Sequence, residues 1–406
     1  MMVAPKLRFK ADDGSDFSGW EEKTLGELCA PLTYGMNAAA TKFDGENRYI
    51  RITDIDDETH ALLPNDIVSP SGELDDKYLV KKGDILLART GASTGKSFLY
   101  HPKDGKLFYA GFLIKAHVLP SSDDYFIYSQ TLTDRYWKWV KTASMRSGQP
   151  GINANEYTSY SFAVPSLPEQ RKIADFLSAV DAVIAAQQAE VDAWEQRKKG
   201  VMQKLFSQEV RFKADDGSDF PKWEEKTLGE YCTQLKASID PRKSPNTIFA
   251  EYSMPAFDES RKARFVSGRE MNSARKILSE PCVLVNKLNV RKRRIWLVKN
   301  PEQNAVCSSE FVPLSSNAIN LTFLSYFALT DRFTSYLMDC SSGSSNSQKR
   351  VVPDVILNYV MQIPSLPEQR KIADCLSSMD EVIQKSKDEL AKWQELKKGL
   401  LQQMFV

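Results

Sequence analysis

The side chains best equipped for chemistry in this chain are cationic and amide groups gathered in a few loops. The densest run is Arg291-Lys292-Arg293-Arg294, with Arg261, Lys262 and Arg264 upstream. Adjacent guanidinium and ammonium groups suit contact with phosphates; a solvated loop or strand end explains the run equally well. The net charge of +1 over 406 residues conceals an uneven distribution. Residues 233–362 hold 18 Lys+Arg against 11 Asp+Glu, whereas residues 30–163 hold 15 against 16.

A second loop, Arg89-Thr90-Gly91-Ala92-Ser93-Thr94-Gly95-Lys96-Ser97, invites a nucleotide-binding reading that its spacing rejects. A phosphate-cradling P-loop needs four residues between its glycines, and only three separate Gly91 from Gly95. Its counterpart at residues 289–295, N-V-R-K-R-R-I, has no glycine. The fitting role is a glycine-containing turn that brings Arg89 and Lys96 close to a phosphate backbone.

No other catalytic pattern is present: there is no G-x-G-x-x-G after a strand, no G-x-S-x-G and no H-E-x-x-H. Six cysteines without a C-x-x-C pair and three histidines argue against a zinc site or a disulfide framework. The acidic pairs Asp56-Asp57 and Asp75-Asp76 read as loop surface. No long apolar run or signal-peptide pattern occurs, so a cytoplasmic location is expected. The chain reads as a binding and scaffolding protein.

Two internal repeats position these loops. P-S-L-P-E-Q-R-K-I-A-D-x-L occurs at residues 165–177 and 364–376, and residues 164–206 match residues 363–405 at 23 of 43 positions. Each copy opens a long helix, with Pro168 or Pro367 in the first turn and an S-x-x-E capping box from Ser166/Glu169 or Ser365/Glu368. A mostly apolar seam then recurs at alternating spacings of 4 and 3: Ile173, Leu177, Val180, Ile184, Gln187, Val191, Trp194, Lys198, Val201 and Leu205. The second seam runs Ile372, Leu376, Met379, Ile383, Ser386, Leu390, Trp393, Lys397, Leu400 and Met404. Such a seam predicts coiled coil, with Gln187/Ser386 and Lys198/Lys397 as register devices. The other repeat, R-F-K-A-D-D-G-S-D-F-x-x-W-E-E-K-T-L-G-E, begins at Arg8 and Arg211 and is identical at 19 of 22 positions through Cys29 and Cys232.

The repeat unit is therefore a lead-in, an insert and a helix, giving segments 1–163, 164–207, 208–362 and 363–406. A helix over residues 168–206 spans about 58 Å at 1.5 Å per residue, far more than the ~14 Å radius of gyration of a 130-residue domain. The end of the first helix and the start of the second both attach to the second insert, so the helices should run antiparallel with an insert at each end. The C-terminal residues Phe405 and Val406 should then lie near the first lead-in. The inserts read as mixed α/β, with strands at residues 84–88, 112–119, 282–285 and 295–298 and helices at 125–140 and 321–338. They share little sequence while their frame is nearly identical, the pattern of two different readers in one holder.

The doubled L-P-E-Q-R-K-I-A-D-x-L helix, the first insert's G-D-I-L-L-A-R-T-G-A-S-T-G-K (residues 83–96) and the second insert's V-L-V-N-K-L-N-V-R-K-R-R-I-W (residues 283–296) carry a resemblance. Over residues 20–406 the chain resembles the specificity subunit of type I restriction-modification systems. The resemblance implies a mixed α/β fold of two pseudo-twofold-related target-recognition domains separated by two long antiparallel coiled-coil helices. It also implies a non-catalytic, DNA-binding role on double-stranded DNA with a bipartite site. Two methyltransferase subunits and two restriction/motor subunits would be partners, with S-adenosylmethionine, ATP and Mg2+ confined to them. The inserts differ, so the site should be asymmetric.

Base reading falls to Arg, Lys, Asn and Gln, which make bidentate contacts to guanine or adenine edges. The candidates are Arg89, Lys96, Gln149 and Asn153 in the first insert. In the second they are Lys287, Arg291, Lys292, Arg293, Arg294, Gln348, Lys349 and Arg350. For the subunit interface they are Trp194, Lys198, Gly200, Trp393, Lys397 and Gly399. Helix-interior glycine costs about 1 kcal/mol relative to Ala, so the recurring K-K-G suggests close approach of another backbone; crowding within the coil explains it equally well. A coiled-coil adaptor with two end domains is the alternative reading.

Overall fold

The computed structural model describes residues 5–146, 148–343 and 348–405. Ser147, Asn346, Ser347 and Val406 lie outside the described residues. The two long helices run over Leu167–Phe206 and Leu366–Met404. All the expected seam positions are buried or half-buried, and most of the residues between them are exposed. The 4-3 spacing thus marks the packed stripe of each helix.

The chain forms two compact units, residues 1–188 with 388–406, and residues 189–387. Each takes one half of both helices. In the first unit Ile173, Ala174 and Leu177 share a core with Leu401, Met404 and Phe405. The Lys397 ammonium donates to Asp181 at 2.6 Å. In the second unit Leu205 packs with Ile372, Ala373 and Leu376, and Lys198 meets Asp380 at 2.5 Å. Within each unit the paired helix segments therefore run antiparallel. The C-terminal end also reaches the first lead-in: Leu7 N–H donates to the Gln403 carbonyl at 3.0 Å, and Phe405 shares a core with Trp20 and Phe126.

The expected capping box does not form. Glu169 is fully buried, and its carboxylate accepts from Arg8 Nε at 2.9 Å and Nη2 at 2.7 Å. Glu368 repeats this with Arg211 at 3.0 and 2.7 Å. The charged fork outcompetes a serine-capped turn because a buried carboxylate needs a full positive partner. Ser166 Oγ and Ser365 Oγ are left buried without a hydrogen bond. Gln170 Oε1 accepts from Asp123 N–H at 3.0 Å and its Nε2 donates to the Pro165 carbonyl at 2.9 Å. Gln369 does the same with Asn320 and Pro364, both at 2.8 Å. The repeated L-P-E-Q-R sequence is thus the place where lead-in, insert and helix are fastened together.

Both units contain a four-stranded sheet of one topology. In the first its order is Thr33–Tyr34, Leu113–His117, Asp84–Ala88, Ser97–Leu99; in the second, Thr233–Gln234, Phe311–Ser315, Cys282–Asn286, Ile295–Val298. Asp84–Ala88 and Cys282–Asn286 are buried at every position, as suits a central strand covered on both faces. Each unit also pairs its lead-in strand with the strand ahead of the long helix, Glu21–Thr24 with Ser161–Val164 and Glu224–Thr227 with Val360–Ile363; beyond these, among the described residues, the second unit adds a five-stranded sheet and the first two further strand pairs. The helical stretches at 125–140 and 321–338 each divide in two, Asp124–Gln130 with Asp134–Ala143 and Leu321–Phe327 with Asp331–Asp339. At each break a threonine, Thr133 or Thr330, restarts the helix by accepting a backbone N–H three residues on. The shared L-T-D-R sequence is the signal for that restart.

Candidate nucleic-acid interface

In the first unit the glycine-containing turn and the loop ahead of the long helix are hydrogen-bonded to one another. Arg89 accepts at its carbonyl from Ile152 N–H at 2.9 Å, and Gly91 N–H donates to Pro150 at 3.0 Å. Thr90 and Gly151 form the bridge between them. The Arg89 guanidinium stacks over the Tyr34 ring at 4.9 Å. The Tyr34 hydroxyl accepts from Ala154 N–H at 3.0 Å, at the start of the short helix Ala154–Thr158. Gln149 and Asn153 are exposed beside this junction. Arg89, Gln149 and Asn153 are therefore drawn together from loops 60 residues apart in the chain.

The second unit repeats the arrangement with other side chains. Lys287 accepts at its carbonyl from Val351 N–H at 3.0 Å, and Asn289 N–H donates to Lys349 at 2.8 Å. Leu288 and Arg350 form the bridge. Gly91 and Asn289 occupy the same place and both adopt positive φ, +77° and +52°. That is the left-handed region, which glycine enters freely and asparagine more readily than most residues. One backbone register thus presents Arg89, Thr90, Pro150 and Gly151 in the first unit and Lys287, Leu288, Lys349 and Arg350 in the second.

Two predicted contact residues turn inward instead. Lys96 is 5% exposed, and its ammonium donates to the Ile55 carbonyl at 2.7 Å and to Asp57 at 2.6 Å. It ties the turn to the domain beneath. Arg294 is 7% exposed and forks onto Asp258 at 2.7 and 2.6 Å, which holds the Asp258 carboxyl below the usual range. The basic run is folded rather than extended: a 3-10 turn over Val290–Lys292 is followed by Arg293 at φ +46°. Arg293 then donates to the Leu329 carbonyl and Asp331. Arg291 and Lys292 remain exposed. Gln348 and Arg350 are exposed and Lys287 and Lys349 half-buried. Asn153 Oδ1 caps the short helix by accepting from Glu156 N–H at 3.0 Å.

Charge removal should act differently at the exposed and the buried members of the run. Arg291→Ala and Lys292→Ala should each reduce the slope of log K against log salt for DNA binding by about 0.9, whereas Arg294→Ala should lower stability. A double Arg291→Ala/Lys292→Ala variant with the wild-type salt slope would remove the run from the interface.

Comparison with known proteins fits this doubled site. The family described as type I restriction modification DNA specificity domain matches residues 18–193 and again 222–392. The chain belongs to this family. The specificity subunit of the type I restriction enzyme MjaVIII of Methanocaldococcus jannaschii is 25% identical over 348 residues, 80% of this chain and 79% of that protein. The HindI specificity subunit of Haemophilus influenzae is 20% identical over 187 residues, 45% of this chain and 41% of that one. Among solved structures, the type I restriction-modification S subunit from M. genitalium aligns with a TM-score of 0.59 at 17% identity, covering 100% of this chain and 99% of the other. A chain from a study of complex assembly and conformational transition of the type I R-M system gives 0.55 at 17%, covering 94% and 96%. As a specificity subunit the chain serves DNA sequence recognition and is not itself the catalyst. Each of the two family matches spans one mixed α/β insert and most of the long helix that follows it.

The helix residues assigned to an interface divide by environment. Lys198 and Lys397 are drawn into the seam by Asp380 and Asp181, so these specificity-subunit lysines act within the chain. Their aspartates also accept from the Tyr326 and Tyr125 hydroxyls. Trp194 and Trp393 are half-buried, and Arg197 covers the Trp194 ring at 5.2 Å. A Cβ added to Gly200 or Gly399 would meet nothing within 4 Å. Crowding inside the coil therefore does not account for K-K-G. Among the described residues, no helix is long and apolar enough to cross a membrane.

Proposed function

We propose that each recognition domain reads one half of an asymmetric, bipartite double-stranded DNA site, and that the two long helices set the spacing between the halves. The observation that carries this reading is the shared backbone register bearing unlike side chains: Arg89, Thr90 and Gly151 in one domain, Lys287, Leu288 and Arg350 in the other. A common register orients each domain alike on a duplex, while side chains decide which base edges it accepts. The helices also dock two methyltransferase subunits, and two restriction/motor subunits complete the assembly. The open flanks of Gly200 and Gly399 support close approach by a second chain there. S-adenosylmethionine, ATP and Mg2+ act in those partners, and the complex works in the cytoplasm.

Co-expression with a methyltransferase subunit in a methylation-free host, followed by mapping of methylated adenines, tests this. The expected motif is two short unlike words at fixed spacing, and exchanging residues 233–362 for those of another family member should change one word only. A contiguous motif, or none from a purified complex, would refute it.

A further inference from the structure

One position in the shared register differs in a way that bears on which base each domain accepts. Arg89 N–H donates to the Phe112 carbonyl at 3.1 Å, and at the same place Lys287 N–H donates to the Glu310 carbonyl at 2.9 Å. Phe112 and Glu310 are thus equivalent. Their neighbours across the bridge differ in step: Gly151 in the first domain, Arg350 in the second. Glu310 accepts from Arg350 Nε and Nη2, both at 3.1 Å, while Phe112 is 63% exposed beside Arg89.

Two hydrogen-bond edges of a guanidinium can be used at once. Glu310 occupies the Nε/Nη2 edge, which leaves the Nη1/Nη2 edge directed away from the carboxylate. Arg350 remains 56% exposed in its side chain. A free terminal edge held in one orientation matches the O6/N7 acceptor pair of guanine in the major groove. The first domain has neither member of this pair. It offers a flat apolar ring next to a residue without a side chain, a surface that accepts the C5-methyl of thymine rather than a polar edge.

We propose that this position is specificity-determining: Glu310 is the positioning residue that aims Arg350 at a guanine of the second word, and Phe112 packs on a thymine methyl of the first. This rests on the two-reader function above. The test uses the full chain in complex with a methyltransferase subunit, and the wild-type motif is mapped first. Failure of the wild type to give two words would defeat the two-reader function itself. With the motif known, Glu310→Gln should cut the preference for guanine at one position of the second word by about tenfold and leave the other positions and the first word unchanged. Uniform weakening over all sequences, or an unchanged motif, would overturn the role of Glu310.

For Phe112 the probe is DNA in which thymines of the first word are replaced singly by deoxyuridine, which lacks only the methyl. Wild type should bind one such site several-fold more weakly, and Phe112→Ala should be indifferent to the same change. An equal deoxyuridine penalty in both proteins, or no penalty in either, would overturn the role of Phe112. Because this side chain is exposed, its variant keeps the test decisive if Glu310→Gln fails to assemble.

Discussion

Arg211→Ala lowers the stability of the second unit by about 3 kcal/mol. The reason is the carboxylate it leaves behind. Glu368 is fully buried, and without Arg211 its remaining side-chain donor is Trp223 Nε1 at 3.2 Å. Removing one member of a buried pair costs about 3–5 kcal/mol; the lower figure applies because Arg211 is 27% exposed in its side chain, so water reaches the gap. Replacing both partners, Arg211→Met with Glu368→Leu, should recover most of the loss, since no buried charge remains. Urea unfolding followed by tryptophan fluorescence measures both. If the single variant unfolds at the wild-type urea concentration, the lead-in is not fastened through this pair.

Gly35→Ala should be at least as damaging to the first unit. A Cβ there would lie 2.2 Å from the Ala110 carbonyl oxygen and 2.4 Å from that of Tyr109. Both are backbone atoms at the end of the strand Leu107–Tyr109, so neither can swing aside. Overpacking of this kind costs about 3 kcal/mol or more, and the strain falls where Gly35 N–H donates to the Leu113 carbonyl at 3.1 Å. Separation of Thr33–Tyr34 from Leu113–His117 would carry Tyr34 away from Arg89 and Ala154. Hydrogen exchange read by mass spectrometry should show faster exchange in residues 30–120 and no change in residues 233–362. Gly148→Ala is the control, because its added Cβ would meet nothing within 4 Å. Equal exchange in the Gly35 and Gly148 variants would show that the strand pair accommodates the clash.

The long helices and central strands were legible because their periodicity reflects burial directly. The spacing from Ile173 to Leu205 is the packed seam itself, and the run from Asp84 to Ala88 is a central strand. Side-chain direction was not legible in the loops. Lys96 follows Gly95, at φ +94°, and Arg294 follows Arg293, at φ +46°; after a left-handed residue the chain turns, and alternation no longer tells inside from outside. The capping box failed for a different reason: the partner of Glu169 lies 161 residues away, beyond any local rule. Its signal was present in a less direct form, since Arg8 and Glu169 both sit in duplicated segments. Tyr34 and Phe112 went unnoticed because an aromatic beside glycine reads as core; only the pairing of Gly35 with Leu113 brings both to the surface near Arg89.

The sharing of both helices between the units bears on how the protein is made. Phe126 of the first unit packs against Phe405, and Leu401 and Met404 belong to the same core. The domain that leaves the ribosome first is therefore the last to close, and it waits with part of its core uncovered while more than two hundred further residues are translated. A chain that stops short in the second helix lacks the lid of its own N-terminal domain and exposes aromatic surface that chaperones and proteases recognise.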